Sequence, residues 1–224
     1  MLQLIRALDN TRPKAPAARV DFPEGTRLLA QDMPAKHIYL LAQGVVRLTR
    51  FLPDGQRQVL GFGLPGNLVG FQTGDHYSFS VEAITSTKAD QFLRTNLMEL
   101  ANRKPDFAFN VFELLAQELS IVQDQISIFG YRSAEKRVAF FLINLRDRWA
   151  RIIGSDKPFP MPMTRQDIAD FLGLRLETVS RTMSRMAREK LIETKGGQVR
   201  ILDNSRMLEV LAGGWPSGLA KRKQ

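Results

Sequence analysis

Hydrophobic and polar positions fall into three successive patterns along the chain. From about Val20 to Thr95 short apolar runs are broken by polar residues, and His37–Leu41, Val45–Phe51, Gln58–Phe62 and Ser78–Ile84 read as strands. Turn formers separate them at Glu24-Gly25, Gln43-Gly44, Pro53-Asp54-Gly55 and Pro65-Gly66. Short strands at this spacing predict a small β-barrel or jelly roll, and Asp54-Gly55 between two of them predicts a hairpin. From Asp106 to about Phe129 the period becomes helical. Phe112, Leu115, Leu119, Val122, Ile126 and Phe129 recur at alternating three- and four-residue steps, the spacing of a coiled-coil seam. A second apolar line, Phe107, Val111, Leu114, Ile121 and Ile128, runs beside it. A helix apolar along two lines needs two surfaces to bury against. The β-domain supplies one. The other suits a second copy of the chain in a homodimer, with a core helix of a monomer as the alternative.

A further helix begins at Ser133, holds Val138, Ala139, Phe141, Leu142 and Leu145 inside, and ends near Trp149. After a loop from Gly154 to Pro162, the stretch Thr164 to Arg185 predicts two short helices around a tight turn at Gly173, a helix-turn-helix. Thr164 is an N-cap with Asp167 three residues on in capping-box position, and Gly173 supplies a left-handed stop. Ile168, Ala169 and Leu172 make the apolar face of the first helix. The second helix runs from about Leu176 to Glu189, with Leu176, Val179, Met183 and Met186 inward and Glu177, Ser180, Arg181, Ser184 and Arg188 outward.

Those outward residues match base edges in the DNA major groove. Arg181 can donate twice to guanine, Glu177 can accept from cytosine, and Ser180 is small enough to lie against a thymine methyl. Thr164, Arg165, Arg175, Thr182 and Arg185 are placed for the phosphate backbone, which positions without reading sequence. An i,i+4 ion pair between Glu177 and Arg181 on a solvated surface is the alternative. Beyond the helix, strands at Leu191–Thr194 and Gln198–Leu202 flank Lys195-Gly196-Gly197, which predicts a wing with Lys195 at the backbone.

Charge sharpens this picture. The net charge is +9, and residues 1–130 carry 13 Lys/Arg against 13 Asp/Glu while residues 131–224 carry 19 against 10. All of the excess lies with the helix-turn-helix, as a double-stranded DNA partner requires. The chain has no cysteine, which excludes disulfides, thiolate zinc sites and Cys-held iron-sulfur clusters. No nucleophile–His–acid set, phosphate loop, Rossmann glycine pattern or metal-ligand cluster is present, so an enzyme is not expected. Neither a signal-peptide pattern nor an apolar run of membrane-span length is found, and a cytoplasmic protein without membrane contact is expected. The expected organisation is α+β: an N-terminal arm over 1–19, a β-roll over 20–105, a dimerisation helix over 106–131 and a winged helix-turn-helix over 132–224. The basic tail Lys221, Arg222 and Lys223 is expected to add nonspecific attraction.

With these residues in place, the chain resembles the CRP/FNR superfamily of bacterial transcription regulators over nearly its whole length. GNLVGF at Gly66–Phe71 and MTRQDIADFLGLRLETVSR at Met163–Arg181 carry the likeness, and the second matches the FNR branch and its FixK-type members. The resemblance implies a homodimer reading a TTGAT inverted repeat through Glu177, Ser180 and Arg181, and activation as the commoner mode. It also implies that the Asp54-Gly55-Gln56 hairpin touches RNA polymerase, a plain solvated turn being the alternative. Arg175 stands where many relatives cap the recognition helix with Thr or Ser. Cyclic-nucleotide binders of the superfamily hold ribose and phosphate through Gly-Glu and Arg-Ser pairs. Here those places read Gly70-Phe71 and roughly Tyr77-Ser78-Phe79-Ser80, without the Glu or the Arg. His37 and His76 are the only candidate haem ligands and read as surface or strand residues. No cofactor is therefore expected, and the regulator is read as active without a small ligand. An unknown effector in the β-roll, or a cyclic-nucleotide-type module acting through protein partners, remains as the alternative.

Overall fold

A computed structural model describes residues 18–154 and 157–213, so the arm over 1–17 and the basic tail at Lys221–Lys223 lie outside the described residues. The chain divides into two compact units at Gln123/Asp124.

Unit 1 is a β-roll of two four-stranded antiparallel sheets. Its strands are β1 (Ala18–Phe22), β2 (Arg27–Leu29), β3 (His37–Gln43), β4 (Val46–Phe51), β5 (Arg57–Gly63), β6 (Leu68–Val69), β7 (Ser80–Ala83) and β8 (Thr87–Leu93). They order as β1-β8-β3-β6 and β2-β7-β4-β5. All four strands predicted from the sequence are present, shifted at their ends by one or two residues. The strand β1 begins at Ala18, inside the expected arm. Leu29, Tyr39, Leu41, Val46, Val69, Tyr77 and Val81 fill the space between the sheets. Ile38 faces the other way and packs with Leu97 and Phe107. Because β3 is covered on both faces, Ile38 to Leu41 form an unbroken apolar run rather than an alternating one.

The Asp54-Gly55 hairpin forms as predicted. Phe51 pairs with Arg57, the Leu52 amide donates to the Gln56 carbonyl (2.9 Å), and the Gln56 amide donates to Asp54 Oδ1 (2.9 Å). Asp54, Gly55 and Gln56 are all exposed. After β8 the chain enters α1 (Arg94–Arg103), which the sequence pattern did not reveal, and then α2 (Pro105–Gly130), which it did.

The α2 helix splits its apolar residues as the two lines require. On one line Phe107 and Ile128 are buried, and Val111 packs against the Ile38 cluster. Along the other, Phe112, Leu119, Val122, Ile126 and Phe129 are all exposed, while Leu115 is half-buried. Phe109 is exposed as well and lies one turn before Phe112.

Unit 2 holds α3 (Ala134–Ile153), α4 (Arg165–Leu172), α5 (Leu176–Arg188), α6 (Asn204–Gly213) and a three-stranded sheet of β9 (Phe159–Pro160), β10 (Ile192–Lys195) and β11 (Gln198–Ile201), in the order β10-β11-β9. Ser133 caps α3 by accepting from the Lys136 amide (3.2 Å). Val138, Ala139, Phe141, Leu142, Leu145 and Trp149 form its buried stripe. Met161, Met163, Met183, Met186 and Met207 are all buried in this unit, filling irregular gaps between short helices as an unbranched, polarizable side chain does. Neither β9 nor α6 was anticipated from sequence.

Candidate nucleic-acid interface

The reader head is built on two local devices. The first is a complete capping box at the start of α4. The Thr164 hydroxyl accepts from the Asp167 amide (3.0 Å), and the Asp167 carboxylate accepts from the Thr164 amide (3.3 Å) and hydroxyl (2.7 Å). Asp167 is buried, so these bonds replace water around its charge. Thr164→Ala is expected to lower unfolding stability by about 1–2 kcal/mol in a urea titration, since it deletes the cap and leaves that carboxylate short of donors.

The second device is Gly173. It sits at φ +62° and ψ +41°, a left-handed conformation that L side chains resist, and its amide donates to the Ala169 carbonyl. The turn ends α4 and sends the chain into α5 after only Leu174 and Arg175.

On α5, Val179, Met183 and Met186 are buried, and they hold the helix against its unit. The opposite side carries Glu177, Arg181, Ser184 and Arg188, all exposed, with Ser180 half-buried between them. Among the described residues no ion pair engages Glu177 or Arg181, so the i,i+4 pairing considered from sequence does not form. Both side chains are free to meet a ligand from the first two turns of the helix.

Two placements differ from the sequence reading. Thr182, expected at a phosphate, is only 6% exposed. It lies three residues after Val179 and four before Met186, so the helical period turns it to the buried side, and it drops out of the interface. Leu176, expected inward, is 38% exposed. It is the first residue of α5, and the buried stripe starts one turn later, at Val179. An apolar side chain beside Glu177 suits a thymine methyl.

The other expected backbone residues surround this face. Arg165 is half-buried at the start of α4, and burial pulls its pKa below the ordinary guanidinium value. Its Nη1 meets the Met183 thioether sulfur, a weak acceptor, and no carboxylate among the described residues pairs with the cation. Arg175 is exposed at the N-cap of α5 and makes no side-chain cap, leaving first-turn amides unmet by a side chain. Arg185 is less available than expected, since its Nε lies 3.1 Å from Glu189 Oε1. Arg206 also approaches that carboxylate, at 3.7 Å. The wing forms as predicted. Lys195 pairs with Gln198 across a two-residue Gly196-Gly197 turn with both φ positive, the geometry of a type I′ hairpin, and Lys195 is exposed.

In unit 1, Tyr77 opens the stretch Tyr77–Ser80, in which the cyclic-nucleotide binders' arginine is missing. It is 4% exposed, and its hydroxyl donates to the His37 carbonyl (2.7 Å) while accepting from the His37 amide (2.9 Å). Burial pushes the Tyr77 pKa up, which keeps the hydroxyl neutral. Among the described residues no group of three His, Cys, Asp or Glu is gathered as a metal site, and no helix is long and apolar enough to cross a membrane.

These features define a winged helix-turn-helix DNA-binding protein that carries a β-roll. Known proteins agree: the cyclic nucleotide-binding domain family matches residues 19–104 and the Crp-like helix-turn-helix domain family matches residues 136–210. The transcriptional activatory protein AadR of Rhodopseudomonas palustris is 43% identical over 190 residues, 85% of this chain and 80% of that protein. The nitrogen fixation regulation protein FixK of Bradyrhizobium diazoefficiens is 37% identical over 194 residues, 87% of this chain and 81% of that protein. The solved structure of FixK2 from Bradyrhizobium japonicum superimposes with a TM-score of 0.78 at 31% identity, covering 86% of this chain and 96% of that one. The chain belongs to the CRP/FNR family of transcription regulators and has FixK-type relatives. Its relatives are regulators rather than enzymes.

Proposed function

We propose that the protein is a homodimeric transcription activator that reads a TTGAT-type inverted repeat and needs no small effector to do so. The observation that carries this reading is the exposed, ion-pair-free couple of Glu177 and Arg181 on the first two turns of α5. Glu177, Ser180 and Arg181 read base edges, with Leu176 beside them. Arg165, Arg175 and Lys195 hold phosphates, Arg185 joins them only by loosening its hold on Glu189, and Thr164 joins them only by redirecting the hydroxyl proton it gives to Asp167. The exposed seam on α2, from Phe112 to Phe129, is the dimer surface and places two readers on the two half-sites. The Asp54-Gly55-Gln56 hairpin, exposed and held by its own hydrogen bonds, is the surface offered to RNA polymerase. These parts support a division into a β-roll from Ala18 to 105, a dimer helix to 131 and the reader beyond. The protein acts in the cytoplasm, where its DNA is.

Effector independence is supported by Tyr77. A cyclic nucleotide needs a cation at its phosphate, and the stretch Tyr77–Ser80 supplies none; Tyr77 within it is a buried neutral phenol with its hydroxyl already satisfied twice by the backbone.

The test is fluorescence anisotropy of the purified protein, with no ligand added, on a labelled TTGAT inverted repeat and on a scrambled duplex across a salt series. Tight, salt-dependent binding to the repeat alone is expected. Equal weak binding to both duplexes would overturn the effector-free reading or the half-site.

A further inference from the structure

We propose that Arg137 is a positioning residue that locks the helix-turn-helix to the end of the seam helix and thereby sets the half-site spacing the dimer accepts. The proposal rests on the homodimeric, inverted-repeat reading above. Three residues, Tyr131 to Ser133, separate the end of α2 from the start of α3. Arg137 lies in the first turn of α3 and reaches in two directions. Its Nε donates to the Tyr131 carbonyl (2.9 Å), just past the seam helix, and its Nη1 donates to the Leu172 carbonyl (3.0 Å), the last of α4.

The second bond meets a specific need. A helix leaves its last four carbonyls without intrahelical donors. At the end of α4 the Ala169 carbonyl is met by the amides of Gly173 and of Leu174 (3.0 Å), while Leu172 is met by the guanidinium. A cation at this end also suits the helix dipole. The turn itself is bordered by the same groups. A β-carbon at Gly173 would stand 3.7 Å from Arg137 Nη1 and 4.0 Å from the ring of Phe129, the last seam residue. The turn of the reader thus has both the guanidinium and the last residue of the proposed dimer surface as neighbours.

A guanidinium is planar, with donors in a fixed fork. Bridging two carbonyls through Nε and Nη1 therefore fixes the angle between the two chain segments as well as their distance. An ammonium, with one nitrogen, can keep the charge but not the angle. That angle matters because adding one base pair between half-sites moves the second by about 3.4 Å along the duplex and by roughly a tenth of a turn around it. A stiff joint rejects the shifted site; a loose joint follows it. Arg137 is placed to decide which, without touching DNA.

The experiment compares full-length wild type, Arg137→Met and Arg137→Lys on duplexes carrying two TTGAT half-sites with a series of spacers, on a single half-site and on a scrambled duplex. Sedimentation reports the oligomeric state of each. Wild type is expected to prefer one spacer over its neighbours by about tenfold or more. Arg137→Met is expected to remain dimeric, to bind the single half-site as wild type does, and to narrow the spacer preference to about threefold or less. Arg137→Lys is expected to behave like Arg137→Met despite its charge. A folded, dimeric Arg137→Met with the wild-type spacer profile overturns the proposal. So does equal loss on single half-site and repeat, which would make Arg137 a support of the reader fold alone. If Arg137→Met does not fold, Arg137→Lys decides by the same two comparisons. Wild type that fails to distinguish repeat from scrambled DNA refutes the repeat reading instead, whereas wild type that binds the repeat at every spacer alike refutes the clamp alone.

Discussion

Replacing Arg181 with alanine is expected to weaken binding to each TTGAT half-site by about 1–3 kcal/mol, while binding to scrambled DNA changes far less. The argument starts from the side chain's freedom. Arg181 is exposed on α5 and holds no ion pair among the described residues, so the alanine variant breaks none of their ion pairs. Its neighbours Val179 and Met183 remain buried, and the helix keeps its footing. What is lost, on the proposed reading, is a bidentate donor pair for a base edge. Two half-sites about one helical turn apart are independent, so the loss on the full repeat is roughly double that on one. Nonspecific binding depends on phosphate contacts and counterion release, to which one cation of many contributes little. The check is anisotropy on the repeat, a single half-site and the scrambled duplex at several salt concentrations. Equal loss on all three, with a shallower salt dependence, would make Arg181 a phosphate contact and remove it from the reading set.

The reader was legible in the sequence wherever one residue type answers one geometric demand. Thr164 and Asp167 announce a capping box because few other pairs satisfy both ends of it, and the box is present. Gly173 announces a left-handed stop, and Gly196-Gly197 a tight hairpin, because side chains resist those conformations. The separate apolar lines on α2, one buried and one exposed, were legible from spacing alone. Legibility failed where tertiary context decides. The strand β8, TKADQFL, looks polar, yet it pairs with β1 on one side and β3 on the other. Its polar residues are used in place: Asp90 binds Arg19 (2.8 Å), and Gln91 donates to the Tyr39 hydroxyl (2.9 Å). The α1 helix has no side-chain cap and buries only Leu97, so it carries almost no periodic signal. Thr182 and Leu176 show the converse failure. Residue type suggested that one faced out and the other in, but helical phase and helix end place them the other way round. Arg137 gave no signal at all, because its partners are backbone carbonyls, 6 and 35 residues away, and those have no letter in a sequence.

Leu119→Asp is expected to convert the protein from dimer to monomer without unfolding the protomer. Leu119 is 58% exposed and Val122 47% exposed, near the middle of the seam. An exposed leucine contributes little to the fold of its own chain, so the protomer's helical signal and urea midpoint should stay close to wild type. A core helix in a monomer makes the opposite prediction, because a buried carboxylate without a partner would cost several kcal/mol of folding stability. In the proposed dimer each Leu119 leaves water, at about 1.5–3 kcal/mol per side chain, and a symmetric interface holds two. Their loss amounts to about 3–6 kcal/mol, a weakening of dimerisation by roughly 10²- to 10⁴-fold. Two carboxylates facing each other across the two-fold axis add repulsion to that loss. Sedimentation velocity over a concentration series reads the change directly. DNA binding supplies an independent readout, since a monomer still carries Glu177, Ser180 and Arg181. Affinity for a single half-site should therefore hold, while the advantage of the repeat over the half-site disappears. A variant that stays dimeric at wild-type concentrations would move the interface away from this seam. A variant that unfolds would return α2 to the core of a monomer.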